Sequence, residues 1–110
     1  MNLTTRLAAG LLILSITPLA AAEGDLEKGR NLAYTCTGCH GIEGYKNIYP
    51  HYSVPKIGGQ NADYLIAALV AYQKGERPHP TMRAQAESFS AEDIQNIAAY
   101  LSSVGKDTTK

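Results

Sequence analysis

The chain has 110 residues, and its ten Lys and Arg residues balance its ten Asp and Glu residues, so the formal net charge is zero. This balance gives no support to a nucleic-acid partner, because nucleic-acid-binding domains carry an excess of basic residues. A chain of this length forms one small domain with a thin protein core, and such domains usually gain stability from a disulfide or a metal.

The amino terminus has the pattern of a secretory signal. A single Arg is the only charged residue before the apolar run 7–16, and the small residues Ala20, Ala21 and Ala22 follow. A basic start, a short apolar core and an Ala-x-Ala site predict cleavage after Ala22, and the run is shorter than the roughly 20 apolar residues of a membrane helix. We therefore expect residues 1–22 to be removed, leaving residues 23–110 as one exported domain. An uncleaved segment, the alternative, would attach the protein to a membrane.

Caps and periodicity predict two helices in the first three quarters of the chain. The first begins at Asp25, a suitable N-cap, and runs toward Cys36. The second begins after Asn61 and stops at Gly75, with apolar residues recurring at helical spacing between them.

A third helix is predicted near the carboxyl terminus. Ser90 and Asp93 form a capping box, and Gly105 closes the helix. Its apolar stripe follows the i, i+3, i+4, i+7 rule and consists of Ile94, Ile97, Ala98 and Leu101. No segment alternates as a strand would, so the sequence predicts an all-α fold with irregular segments at 41–60 and 76–89.

The chain's only two cysteines occur in the run Cys36-Thr37-Gly38-Cys39-His40, which Gly41 follows. Two thiols three positions apart with a His directly after them form the attachment pattern of c-type haem. One helical turn carries both sulfurs to the vinyl edges of the porphyrin, and the next side chain lies under the iron. The pattern thus predicts thioethers at Cys36 and Cys39 and a proximal iron ligand at His40.

Other roles for this motif receive less support. A thioredoxin-type dithiol requires a βαβ pattern, which is missing here. A zinc site could draw on both cysteines and two of His40, His51 and His79, but the spacing does not resemble a zinc knuckle. A structural disulfide would not require His40.

The second iron ligand is sought in the irregular segment 76–89. Met82 is the only methionine after Met1, and it lies 42 residues beyond His40 on a segment that two prolines stiffen. Its thioether is a soft, neutral donor that favours ferrous iron. His79 is the main alternative as distal ligand, and His51 is a third.

The chain resembles the class I c-type cytochromes, and more narrowly one half of the bacterial periplasmic two-haem cytochromes c. Six groups of residues carry the resemblance along most of the mature chain: Lys28-Gly29, the haem motif with Gly41, Pro55 to Gln60, Tyr64-Leu65, Gly75-Glu76-Arg77 with Met82, and Asp93 to Leu101. It implies a small fold in which three main helices and irregular loops wrap around one covalently attached haem.

Residue roles also follow from this resemblance. It implies that the carbonyl of Pro55 accepts the remaining N–H of His40, and that Gly29 and Tyr100 lie where the first and last helices cross. The segment from Ile42 to Tyr52 has no counterpart in the family pattern. Cations near apolar haem walls could pair with the propionates, and the candidates are Lys56, Arg77 and Arg83.

The expected function is that of a periplasmic mono-haem electron carrier without enzymatic activity, which docks transiently on redox partner proteins. Two alternatives remain open. One is a haem subunit of a periplasmic dehydrogenase, and the other is a haem enzyme or gas-binding protein with an open distal site.

Overall fold

The computed structural model describes residues 24–43 and 54–106, and these residues form helices without any strand. The predicted signal segment, His51 and most of the segment from Ile42 to Tyr52 lie outside the described residues. In chain order the helices are α1 (Leu26–Leu32), α2 (Tyr34–His40), α3 (Ala62–Lys74), α4 (Pro80–Glu87) and α5 (Ala91–Ser103). The predicted all-α fold is confirmed. Within the described ranges, no helix combines the length and the apolar character needed to cross a membrane.

The first predicted helix is divided into two. Asp25 caps α1 as expected, but α1 ends at Leu32 and α2 begins one turn residue later. The hydroxyls of Thr35 and Thr37 donate to the carbonyls of Leu32 and Ala33, at 3.5 and 3.4 Å. Such bonds from side chain to backbone compete with the helical pattern and bend helices, which accounts for the break.

The second and third predicted helices are confirmed as α3 and α5. The Asn61 side chain accepts the backbone N–H of Tyr64 at 3.1 Å, and Gly75 ends α3 in a left-handed conformation with φ 72°. Ser90 and Asp93 form both hydrogen bonds of the capping box, at 2.9 and 3.1 Å. These ends follow local rules, which is why the sequence predicts them.

The prediction that segment 76–89 is irregular is wrong over Pro80–Glu87, which form α4. His79 is the N-cap of this helix, and its Nδ1 accepts the backbone N–H of Met82 at 3.2 Å. Pro80 occupies the first helical position, where its fixed φ suits a helix and its missing N–H is not needed. Met82 therefore lies on a short helix and not on a loop.

The helices α1 and α5 approach each other closely where they cross. Gly29 is buried there, and a Cβ at this position would overlap the backbone carbonyl of Asn96 and lie 2.8 Å from the Cβ of Tyr100. The expected crossing at Gly29 and Tyr100 is thus confirmed. The buried Asn96 side chain strengthens the contact, because its Oδ1 accepts the backbone N–H of Asp25 at 2.8 Å.

A cluster of buried apolar side chains connects α3, α5 and the residues on either side of α2. It draws on the residue between α1 and α2, on the segment after α2, on α3 and on α5, and its members are Ala33, Ile42, Leu65, Ile97, Ala98 and Leu101. This cluster fixes α2 and α3 relative to α5.

We predict that Gly29→Ala destabilises the protein, because the added methyl group meets backbone that cannot move without separating α1 from α5. Overpacking of this kind costs about 1–3 kcal/mol, and each 1 kcal/mol lowers the melting temperature of a domain this small by roughly 4–8 °C. Thermal unfolding followed by circular dichroism measures the change.

Gly38→Ala is the matched control, because a Cβ there meets no atom within 4 Å. Its melting temperature should equal or exceed that of the wild type, since Ala favours a helix more than Gly does. Equal melting temperatures for the Gly29 variant and the wild type would contradict the close crossing.

Candidate functional site

A cleft of about 710 Å³ lies between α2, α3, α4 and the segment 54–57. Its volume falls within the range of small-molecule and cofactor sites. Apolar side chains form much of its wall, among them Leu65, Leu69, Phe89, Ile97 and Leu101. The same cleft is lined by Cys36, Cys39, His40 and Met82, which the sequence selects to hold the haem, and by Pro55, the expected hydrogen-bond partner of His40.

The two cysteines lie one helical turn apart on α2, and neither forms a disulfide. Burial raises the pKa of the Cys36 thiol, and its hydrogen bond with Thr35 lowers it by less. Thioredoxin-type dithiols need the opposite shift, because a lowered pKa makes the thiolate reactive. Among the described residues no three His, Cys, Asp or Glu side chains group as ligands for a free metal ion. Neither the redox-dithiol nor the zinc interpretation gains support.

His40 is the last residue of α2, and only 7% of its surface is exposed. Its Nδ1 lies 2.7 Å from the carbonyl oxygen of Pro55. Since a carbonyl can only accept, Nδ1 carries the hydrogen, and Nε2 is left with the lone pair that a metal requires. The structure therefore contains the hydrogen bond that the family resemblance implies.

Met82 and His79, the two candidates for the distal side within the described residues, are placed differently by α4. Both line the cleft, but the Nδ1 of His79 already accepts the N–H of Met82. The His79 ring also packs edge-on against Tyr72, with 6.2 Å between ring centroids. These contacts give His79 a role in building α4, whereas the thioether of Met82 is the soft donor on that helix.

The three cationic candidates separate into two groups. Lys56 and Arg77 line the cleft, whereas Arg83 pairs with Glu87 at 2.6 Å on the exposed side of α4. The Arg77 guanidinium donates to the Tyr64 hydroxyl at 3.3 Å, and this hydrogen bond raises the pKa of Arg77.

Arg77 also lies 4.9 Å from the centroid of the Tyr72 ring. Sequence reasoning missed this arrangement. The sequence feature that could have predicted it is the spacing of Tyr64 and Tyr72. These residues are eight positions apart and so fall on the same side of α3.

The sequence matches the family model for cytochrome c over residues 26–105. Cytochrome c-554(548) from Halomonas halodenitrificans is 40% identical over 83 residues, a match that covers 73% of this chain and 96% of that protein. Cytochrome c4 from Stutzerimonas stutzeri is 34% identical over 102 residues, covering 84% of this chain and 47% of that protein. A further relative is the cytochrome subunit of sulfide dehydrogenase from Chlorobaculum tepidum. It is 27% identical over 92 residues, a match that covers 84% of this chain and 76% of that protein.

The chain therefore belongs to the cytochrome c family, and haem c, attached covalently, is its cofactor. The resemblance to class I cytochromes is confirmed, and the chain spans about half the length of the cytochrome c4 that it matches. The donor set fits this cofactor, because two thiols, an imidazole with its second nitrogen already bonded and a thioether line one apolar cleft.

We predict that the double variant Cys36→Ser, Cys39→Ser is largely unfolded. Without the thioethers the apolar walls of the cleft lose the group they enclose, and the remaining core of a domain this small is too thin to compensate. Far-ultraviolet circular dichroism should show most of the helical signal lost.

Thr37→Ser, which changes a residue between the two cysteines but leaves both thiols in place, is the control and should remain helical. A double variant that stays helical and unfolds cooperatively would show that the cofactor is not needed for folding.

Proposed function

We propose that this protein is a periplasmic mono-haem electron carrier, with thioethers at Cys36 and Cys39 and axial ligands from His40 and Met82. It would shuttle single electrons between a dehydrogenase or reductase and an oxidase or other acceptor. The observation that carries the proposal is that His40, with Nδ1 bonded to Pro55, and Met82, on a separate helix, line the same cleft as both thiols.

When bound, haem c supplies an iron that exchanges one electron between its ferrous and ferric forms. The residues of the chain tether and tune it. The Pro55 carbonyl increases the basicity of His40 by accepting its N–H, and the Met82 thioether favours the ferrous form. The apolar walls of the cleft would limit the contact of the bound haem with water. If His40 and Met82 both hold the iron, no position on it would remain for a substrate, so we propose no enzymatic activity.

Permanent membership of a dehydrogenase complex is a second candidate, which the similarity to the Chlorobaculum tepidum cytochrome subunit favours. A transient carrier docks through a small interface, below about 1,200 Å², whereas a permanent subunit buries more apolar surface. Size-exclusion chromatography of the protein from its native periplasm separates the two. Elution as a free small protein supports the carrier, and stable co-elution with a dehydrogenase contradicts it.

We predict that Met82→Ala removes the weak charge-transfer band at the red edge of the ferric spectrum. The midpoint potential should fall by on the order of 0.1 V, because axial ligands tune haem iron over roughly 0.8 V. The reduced variant should also bind carbon monoxide, whereas the reduced wild type should not.

Ala84→Ser is the control, because this residue is exposed on the same helix and does not line the cleft. An unchanged ferric spectrum in the Met82 variant would assign the distal position to His79. Carbon monoxide binding by the wild type would favour an open-site haem protein instead.

The exported protein is predicted to begin at Glu23, since Ala20 and Ala22 provide the small residues that signal peptidase requires. The intact mass of the holoprotein, isolated from periplasm, should equal residues 23–110 plus one haem. A mass that includes Met1 would indicate a membrane-tethered cytochrome.

A further inference from the structure

The helix that carries Met82 is too short to hold its own position. It has eight residues, whereas isolated helices of fewer than about 12–15 residues are only marginally stable in water. The location of the Met82 sulfur therefore depends on the contacts that fix the two ends of α4.

One side chain fixes the carboxyl end of α4. The Nε2 of Gln73, on α3, donates to the carbonyl oxygens of Ala86 and Phe89, both at 2.8 Å. Because both partners are acceptors, the amide nitrogen must face them, and each of its two hydrogens serves one carbonyl. Ala86 lies in the last turn of α4, and its carbonyl also accepts the backbone N–H of Phe89 at 3.2 Å. Phe89 lies two residues beyond the helix, so Gln73 links α3 to the end of α4 and to the segment that follows it.

The neighbouring residue of α3 contacts the other end. The Tyr72 ring packs edge-on against His79, whose Nδ1 caps α4 by accepting the N–H of Met82. Two consecutive residues of α3 thus contact the two ends of α4. Leu65 packs in the central cluster and holds α3 there. The contacts of α4 with α3 therefore also fix the position of α4 relative to the core.

We propose that Gln73 is a positioning residue for the distal side of the haem: by holding the Ala86 and Phe89 carbonyls, it keeps the Met82 thioether on the iron and limits access of competing ligands. This inference rests on the proposed axial role of Met82. It assigns a function to a side chain that is not itself an iron ligand.

The proposal is tested by titrating the ferric holoprotein with imidazole, which must displace the distal ligand in order to bind. Gln73→Met keeps the length of the side chain but removes both donors, which leaves the two carbonyls without this partner. We expect imidazole to bind about tenfold more tightly to this variant, since loss of the two hydrogen bonds would hold α4 less firmly against α3. The charge-transfer band should weaken in parallel.

Two controls separate positioning from general stability. Asp25→Ala removes the N-cap of α1, far along the chain from α4, and should lower stability without changing imidazole affinity. Gln95→Met makes the same substitution at an exposed position of α5 and should change neither the stability nor the imidazole affinity. If Asp25→Ala tightens imidazole binding as much as Gln73→Met does, the effect is one of stability and the proposal is overturned.

A second variant keeps the test decisive if Gln73→Met yields little holoprotein. Gln73→Lys retains N–H donors, and its imidazole affinity should stay within about threefold of the wild type. Equal effects of the Met and Lys variants, or unchanged affinity in Gln73→Met, would contradict the inference. If the charge-transfer band is lost in Met82→Ala but Gln73→Met has no effect, Met82 remains the proposed ligand and only the inference about Gln73 fails. If the band survives in Met82→Ala, the assignment of Met82 as the ligand fails as well.

Discussion

The close backbone contact between α1 and α5 at Gly29 is the constraint from which the site is built. It fixes the direction in which the chain leaves α1, and only one residue, Ala33, separates α1 from α2. Ala33 is fully buried in the central cluster, so α2 has little freedom relative to α5. The cysteines and His40 are thereby positioned by a helix contact that contains no haem ligand.

The same helix, α5, also determines the opposite side of the cleft. Ile97 and Leu101 share the central cluster with Leu65 of α3, and α3 holds α4 through Tyr72 and Gln73. One core therefore positions both proposed iron ligands, although 42 residues separate His40 from Met82 in the sequence. For the proposed electron carrier this arrangement would be an advantage, because ligands held by one core would move little when the charge on the iron changes.

Local signals predicted the parts of the fold that local chemistry decides. The Ser90–Asp93 capping box and the Asn61 and Gly75 ends of α3 follow from neighbouring residues, and the haem motif is a pattern within a single turn. The break at Ala33 was missed because it depends on the hydrogen bonds of Thr35 and Thr37. Helix α4 was missed because its N-cap is a His. The signal for α4 was available in Pro80 after a polar residue, which is common at a first helical position. The Gln73 bridge links residues 13 and 16 positions apart, and no spacing rule predicts it.

We propose above all that His40 and Met82 would both hold the haem iron. Iron-edge X-ray absorption spectroscopy of the purified holoprotein tests it most directly, because sulfur and nitrogen neighbours scatter differently. We expect one sulfur ligand beside the nitrogen shell in both the ferric and the ferrous protein, and we expect this sulfur to be lost in Met82→Ala. An all-nitrogen shell in the wild type would contradict the account and would favour His79 or another imidazole as the distal ligand.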